Sequence, residues 1–420
     1  RTYETGASII HSANDYFKNF TDLLQLARKD PSDSTTGLWN GQRMAFRTHS
    51  WSLRTSAALL WRYGLSLPRL QSLVKATLTK FKQIYALQAE GEAFETPEEL
   101  WAAVGLLSLT RRNLSEHLRE ALGGPTRLED ELVFAINKCN YNQGNELNAL
   151  AGVVGLCPAF GGSVFQVEGG NSLVPKGLLR LSEANVRLGV RVAKVTQAGP
   201  GQPFALLSPF HEDLGQYDAV VVAAPLALAA VEFDVRSSPD GAPLPPPALP
   251  PQGYQTTHAT FVQGAVNLAT FGATSQDAVP GSVLLTVAGA AAEEWSSIAE
   301  HVRLESVEGR PGVFKVFSVS ALSAKVLGRL FAPGHEVVHH EEWNAYPILT
   351  PLAGPFAKAV LYPGRPIYYS NSLEGGVSAL EISAIAAKNA ALLLARDVDA
   401  RRRFEGGAEE PSKAATDAAV

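Results

Sequence analysis

Tyr217-Asp218-Ala219-Val220-Val221-Val222-Ala223-Ala224-Pro225 is the stretch on which the fold class turns. Its apolar residues run without polar alternation, as a strand covered on both faces of a sheet requires. The run closes in small residues and a proline, where a second backbone or a ligand can come close. Upstream, Val190-Arg191-Val192-Ala193-Lys194-Val195 alternates like a half-exposed strand and follows a helical stretch, Gly177-Leu178-Leu179-Arg180-Leu181-Ser182. Strands of these two kinds, entered from a helix, predict an α/β arrangement.

Away from this centre the texture changes. From about Trp51 to Glu90, Leu67, Leu70, Leu73, Val74, Leu78, Phe81 and Tyr85 recur at spacings of three and four, with Lys and Gln between them. Thr96-Pro97-Glu98-Glu99 predicts a helix start: a hydroxyl cap, Pro in the first turn and acids where the dipole favours them. The helical pattern continues to about Lys138, broken at Gly123-Gly124-Pro125, so residues 51–144 read as a helical block. Ser237 to Gln252 is rich in Pro, Gly and Ser and predicts a loop. Residues 255–345 read as strands with one helix near Ser320–Leu330. Gly375-Gly376 leads into a helix beginning at Val377 and expected to run to about Ala395. After Arg401 the small, charged tail predicts disorder. No internal repeat is visible.

Over 420 residues, 46% are apolar and 18% charged, which suits a globular chain with a sizeable core and room for two domains. The net charge of -5, without a long Lys/Arg run, leaves no electrostatic footprint for nucleic acid. The longest apolar stretches, such as Leu392-Leu393-Leu394, stop well short of a membrane span. Cys139 and Cys157 exclude a disulfide framework and permit one bridge. Asn19-Phe20-Thr21 and Asn113-Leu114-Ser115 are acceptor sequons for N-glycosylation. The chain opens at Arg1 and runs at once into what reads as the interior of a domain, so any signal peptide would lie upstream.

His335-Glu336-Val337-Val338-His339 matches H-E-x-x-H, which on a helix would set two imidazoles on one zinc. Pro333-Gly334 before it, two β-branched residues within it and His340-Glu341-Glu342-Trp343 after it predict an edge strand instead. No metal is expected here, because two histidines four apart on a strand share a face but are too distant for one tetrahedral ion. The sequence has no G-x-S-x-G, no P-loop and no G-x-G-x-x-G. Three segments nevertheless suit a dinucleotide-type oxidase. Tyr3-Glu4-Thr5-Gly6-Ala7-Ser8 reads as a strand ending in small residues, where a flavin ring can lie on backbone. Val167-Glu168-Gly169-Gly170-Asn171-Ser172-Leu173 leads to a helix and then the strand around Val192. Tyr368-Tyr369-Ser370-Asn371-Ser372 precedes Gly375-Gly376, where a helix N-terminus supports negative charge. For each glycine pair taken singly, a simple turn is the plainer reading.

In family order from residue 3 to about 395, these blocks resemble prenylcysteine oxidase (prenylcysteine lyase) and its oxidase-like paralogue, within the amine-oxidase-like FAD superfamily. Trp61-Arg62-Tyr63-Gly64 with Phe81 to Tyr85, Asn140-Tyr141-Asn142-Gln143, Tyr217 to Leu226, Trp343-Asn344-Ala345-Tyr346-Pro347 and Leu380 to Leu392 carry the resemblance alongside the three segments. It departs where the family's Asn-Tyr-Gly-Gln-Ser has Asn142 and Gly144, where Phe165 stands for an expected Trp, and loosely over residues 237–310. The family's opening strand, Gly-rich turn and ribose-binding acid are not among these residues.

The resemblance implies a two-domain α+β flavoprotein. Residues 1–50, 145–236 and 361–396 would form a discontinuous Rossmann-like FAD domain lacking its first βαβ unit. Residues 51–144 and 237–360 would form a substrate domain of mixed sheet and helices, with 397–420 a tail. FAD would rest on Glu4, Gly6, Ala7, Ser8, Val192, Ala223, Gly375, Gly376 and Val377, with Tyr141 near the ring. The implied reaction takes hydride from the prenyl carbon beside sulfur in S-farnesyl- or S-geranylgeranyl-cysteine, adds water, and yields prenyl aldehyde, cysteine and H2O2. Trp51, Trp61, Tyr63, Phe81 and Tyr85 would line an apolar slot or else form ordinary helix core. A lysosomal or secretory lumen, with Asn19 and Asn113 glycosylated, is the implied compartment. The same residues also admit another FAD-dependent amine or carotenoid oxidoreductase, or a non-catalytic paralogue that binds lipid.

Overall fold

The computed structural model describes residues 4–31, 35–48, 52–160, 162–249, 253–302 and 312–406; Tyr3, Trp51 and the tail from 407 onward lie outside them. The helical block is present. Helices Ser52–Tyr63, Ser66–Phe81, Gln83–Ala89, Pro97–Ala103, Leu107–Thr110, Leu114–Leu122 and Phe134–Tyr141 follow one another, and Ala149–Gly155 and Cys157–Phe160 carry the block past residue 144. At its expected start, Thr96 Oγ1 accepts from the Glu99 N–H while Glu99 Oε2 accepts from the Thr96 N–H, a reciprocal cap. Gly123, at φ 85°, ends the Leu114–Leu122 helix in the left-handed conformation that a side chain disfavours. The apolar stripes of these helices meet around Leu70, Val74, Ile84, Leu100, Trp101 and Leu114, all completely buried. Gly152 allows a close approach: a Cβ there would lie 2.4 Å from Leu114 Cδ2.

A seven-stranded sheet stands beside the block in the order Glu336–Pro347, Tyr254–Gln263, Val313–Ser318, Ser297–Val302, Ser282–Leu285, Thr36–Trp39, Met44–Arg47. The last two strands correct the expected partition. Residues 36–47 form a hairpin that joins this sheet through a parallel ladder with Ser282–Leu285, rather than staying with the rest of residues 1–50. Trp39 explains the move, since it packs in this sheet's core with Phe271, Val283 and Leu285. The H-E-x-x-H segment lies at the start of the Glu336–Pro347 strand, and that strand is at the sheet edge.

The remaining sheets are small: Ile10–His11, Val164–Val167 and Arg28–Lys29; Glu232–Val235, Lys194–Gln197, Phe204–Leu207 and Asp213–Tyr217; and the parallel pair Ile367–Tyr369 with Val220–Val222. Four sequence expectations shift here. Glu4 to Ile9 is a loop, because Ala7 at φ 49° breaks an extended backbone, and the strand shrinks to Ile10–His11. Val190–Ala193 is also loop, since the ladder begins only at Lys194, where Leu207 and Glu232 supply partners. The Val220–Val222 strand is covered on one face only: Val222 is buried, but Val221 is 45% exposed. The last helix starts at Leu380, after a 3-10 turn at Ser372–Gly375 and a buried Val377, and runs to Gly406 rather than Ala395. Among the described residues no helix is long and apolar enough to cross a membrane.

Candidate functional site

The Val313–Ser318 strand alternates faces, so Val313, Lys315 and Phe317 point to one side, where Ala259, Phe261 and Trp343 form an apolar patch. Lys315 is only 7% exposed among them. Its Nζ donates to Glu4 O at 3.0 Å, Thr5 O at 3.5 Å and Ser8 Oγ at 3.0 Å, and lies 4.8 Å from the Phe317 ring centre. Burial pushes the ammonium down to about 8, partly opposed by Cys139 and Glu4. From the other side, Asn171 grips the same loop: its N–H donates to Glu4 Oε1 and its Nδ2 to Ala7 O, while its Oδ1 accepts from the Val167 N–H. Gly169-Gly170, both with positive φ, form the turn that presents it. Gly6 faces the tryptophan of the edge strand, where a Cβ would meet Trp343 Cζ2 at 3.4 Å. Glu4, Gly6, Ala7 and Ser8 are thus gathered by Lys315 and Asn171, neither of them among the expected site residues. The signal for Lys315 was available in Val-Phe-Lys-Val-Phe-Ser, a lone cation in a strand apolar on both faces.

The amide run at Asn140–Gln143 is a joint between the helical block and the sheet. Asn142 sits at φ 56°, the left-handed position at the end of Phe134–Tyr141, where glycine is the default and Asn the best substitute. An asparagine is therefore at home in a turn that would otherwise call for glycine. Its Nδ2 donates to Thr257 Oγ1 and Ser318 O, and its Oδ1 accepts from Ser296 Oγ. Gln143 donates to Pro347 O and accepts from the Leu349 N–H. Tyr141 is buried against Tyr346, ring centres 5.4 Å apart and edge to face. Burial lifts the Tyr346 hydroxyl to about 12 and Tyr141 further. Cys139 and Cys157 are both free thiols, and burial raises each.

Along the edge strand from Trp343, Pro347 borders a small cleft with Tyr254, Phe356, Tyr369, Asn371, Glu374 and Gly375. Glu374 accepts from Tyr254 Oη, and burial holds its carboxyl above the usual range against the bonds from Tyr254, Ser378 and Asn371. Gly375 lines this cleft; Gly376 lies behind it, where a Cβ would stand 3.2 Å from Trp101 Nε1, and Val377 is core. Val192 packs half-buried on the small four-stranded sheet, and Ala223 is exposed beyond Val222.

Of the two roles expected for the helical-block aromatics, slot or helix core, the packing gives core for most. Tyr63 and Phe81 are core, and Tyr63 Oη donates to Glu131, which also takes two hydrogen bonds from Arg62. Tyr85 Oη donates to Glu381 Oε1. Trp61 is 90% exposed, neither slot nor core, because the buried stripe of its helix passes through Leu59 and Tyr63 and leaves position 61 outside. Trp51 lies outside the described residues. Asn19 is exposed on the first helix, Asp15–Leu23, while Asn113 caps the Leu114–Leu122 helix by accepting from the Ser115 N–H.

The family model for prenylcysteine lyase matches residues 46–404. Prenylcysteine oxidase 1 of Mus musculus is 31% identical over 410 residues, covering 93% of this chain and 78% of that protein. Prenylcysteine oxidase 1-like of Homo sapiens is 30% identical over 422 residues, covering 93% and 80%. Among solved structures, putrescine oxidase bound to putrescine aligns over 94% of this chain and 88% of its own, with 16% identity and a TM-score of 0.55. A CLA-producing fatty acid isomerase from P. acnes aligns over 94% and 87%, with 11% identity and a TM-score of 0.53. Those last two likenesses concern the fold.

Proposed function

The chain belongs to the prenylcysteine lyase family, and from that premise we propose that it is an FAD-dependent oxidase of S-prenyl-L-cysteine, farnesyl or geranylgeranyl, yielding prenyl aldehyde, cysteine and H2O2 from O2 and water. The observation that carries this reading is the meeting of Lys315, the small-residue loop Glu4–Ser8 and Trp343. These residues fit the ring end of a flavin. A flat ring system needs backbone without large side chains, which Gly6, Ala7 and Ser8 offer, and a buried ammonium supports negative charge at the ring edge. The cleft at Tyr369, Asn371 and Gly375 is bordered by Pro347, at the end of the strand that carries Trp343. Bound there, FAD would supply the acceptor for the hydride on the carbon beside sulfur and the route for its electrons to O2.

The protein's own contribution is placement. Lys315 Nζ is held by Glu4 O, Thr5 O and Ser8 Oγ, so its charge needs no reorganisation as the reaction proceeds. With its pKa near 8 it can yield or take up a proton close to neutral pH. Phe261, Phe317 and Trp343 form the apolar surround that keeps water from competing at this point. The test is to mix the FAD-loaded chain with farnesylcysteine without oxygen, follow the visible flavin band, then admit air and assay free cysteine and H2O2. Bleaching with release of both products is expected. Bleaching by a primary amine or a carotenoid while farnesylcysteine stays inert would overturn the assignment.

A lysosomal or secretory lumen goes with this reading, supported by the family and by the exposed sequon at Asn19. Protein made in a secretory host should lose mass on enzymatic deglycosylation, and an unchanged mass would remove that support.

A further inference from the structure

The strand that continues from the H-E-x-x-H segment carries chemistry not yet used. The edge strand Glu336–Pro347 pairs antiparallel with Tyr254–Gln263 so that Glu342 lies opposite His258 and His340 opposite Thr260. Directly opposed residues share a face, so these four side chains project together. Their face is opposite to that of Lys315: Phe261 is the cross-strand partner of Lys315, while His258 and Thr260 fall on the alternate positions.

On that face His258 Nδ1 lies 3.3 Å from His340 Nε2 and 3.8 Å from Glu342 Oε2, and the three ligand atoms all lie within 4.8 Å of one another. A tetrahedral zinc with bonds of about 2.0–2.1 Å spaces its ligand nitrogens by roughly 3.3–3.4 Å, the edge of that tetrahedron. The His258–His340 separation already matches that edge. His340 Nδ1 is in addition 3.1 Å from Thr260 Oγ1, an outer contact of the kind that fixes a ligating imidazole's tautomer and aims its other nitrogen inward. His258 is buried while the Glu342 side chain is 61% exposed, so one ligand is anchored and one side stays open to solvent. Two imidazoles with one carboxylate suit zinc, copper or nickel rather than calcium or magnesium.

We propose that His258, His340 and Glu342 form a site for a divalent transition metal of the zinc class, clasping the edge strand to its neighbour with a solvent molecule as fourth ligand. The plain alternative is a hydrogen bond between the two rings. Trp343, which stands at Gly6, belongs to the same edge strand, so the clasp would hold that strand from its other face.

The test uses the full, untagged chain titrated with Zn2+ by calorimetry, and with Co2+ followed by its visible absorption. One saturating equivalent and a Co2+ spectrum of low coordination number are expected, with zinc raising the melting temperature by mass action. His340→Ala and Glu342→Gln, both at exposed positions, should each weaken binding at least tenfold and abolish that shift. Thr260→Val should weaken it by about tenfold. His335→Ala and His339→Ala should bind as the unaltered chain does. Absence of saturable zinc binding, or undiminished binding in both His340→Ala and Glu342→Gln, would overturn the proposal. So would loss of binding through His335 and His339 instead.

Discussion

Two buried ionisable side chains fasten the beginning of the chain to the rest with mirror-image chemistry. Glu381 of the last helix is 3% exposed and accepts from the backbone N–H groups of Tyr16 at 2.8 Å and Phe17 at 3.1 Å, and from Tyr85 Oη at 2.8 Å. Lys315 donates to two backbone carbonyls and a serine hydroxyl. Burial disfavours the charge on both, raising the carboxyl and lowering the ammonium. They differ in what they hold. Glu381 supplies the cap that Asn14 does not make for the Asp15–Leu23 helix, so its partners are already ordered by a helix end. Lys315 holds an irregular loop of small residues with Ala7 in the left-handed region, beside an aromatic patch. A buried charge that completes a helix is scaffold, whereas one that fixes an irregular loop of small residues beside an aromatic patch marks a candidate site.

The largest effect should come from Lys315→Met. Turnover of farnesylcysteine, read as H2O2 release, is expected to fall about 100- to 1,000-fold. Folding stability should fall less than in Glu381→Ala, since relief of the buried charge offsets the donor lost to two carbonyls and a hydroxyl. Full turnover with a large loss of stability would make both charges scaffold and erase the contrast. Glu381→Ala should act the other way, costing on the order of 3 kcal/mol in urea denaturation, because two helix N–H groups and the Tyr85 hydroxyl lose their acceptor. Turnover per folded molecule should be unchanged.

The pH dependence separates the two charges again. Folding moves Lys315 from 10.5 to about 8, so between these values the unfolded chain holds the extra proton and stability rises with pH. Glu381 has the opposite sign: its contribution is complete below the ordinary carboxylate value of 4.5 and is lost as pH rises through its folded value. Unfolding free energies measured from pH 8 to 10.5 should therefore climb in the unaltered chain and flatten in Lys315→Met. The smallest effect tests the joint between block and sheet. Asn142→Ala should cost about 2 kcal/mol, from a left-handed alanine and lost hydrogen bonds, and Asn142→Gly about 1 kcal/mol, from the bonds alone.

Much of the fold was legible before any coordinates. The three-and-four spacing from Leu67 to Tyr85, the Thr96 cap and the Gly123 stop are local signals with local causes, and each appears in the structure. Positions that depend on a distant partner were misread. Val190–Ala193 alternates like a strand but has no ladder partner until Lys194. Trp61 is a local exception: a core or slot residue by type, it is turned to solvent by the phase of its own helix. The loop residues Glu4 to Ser8 were recognised as a group, but their two holders, Lys315 and Asn171, lie more than 160 residues away in the chain.

The sequence by itself determined the family, the helical block and the absence of hydrolase and nucleotide-hydrolysing motifs, because these are written in residue order and spacing. Tertiary structure alone decided that the Thr36–Arg47 hairpin joins the large sheet, that Lys315 is buried against carbonyls, and that His258 meets His340 across a ladder. The reason is physical: helix periodicity and caps are properties of neighbours along the chain. Sheet register, burial of a charge and convergence of ligands are properties of neighbours in space, which residue order leaves open.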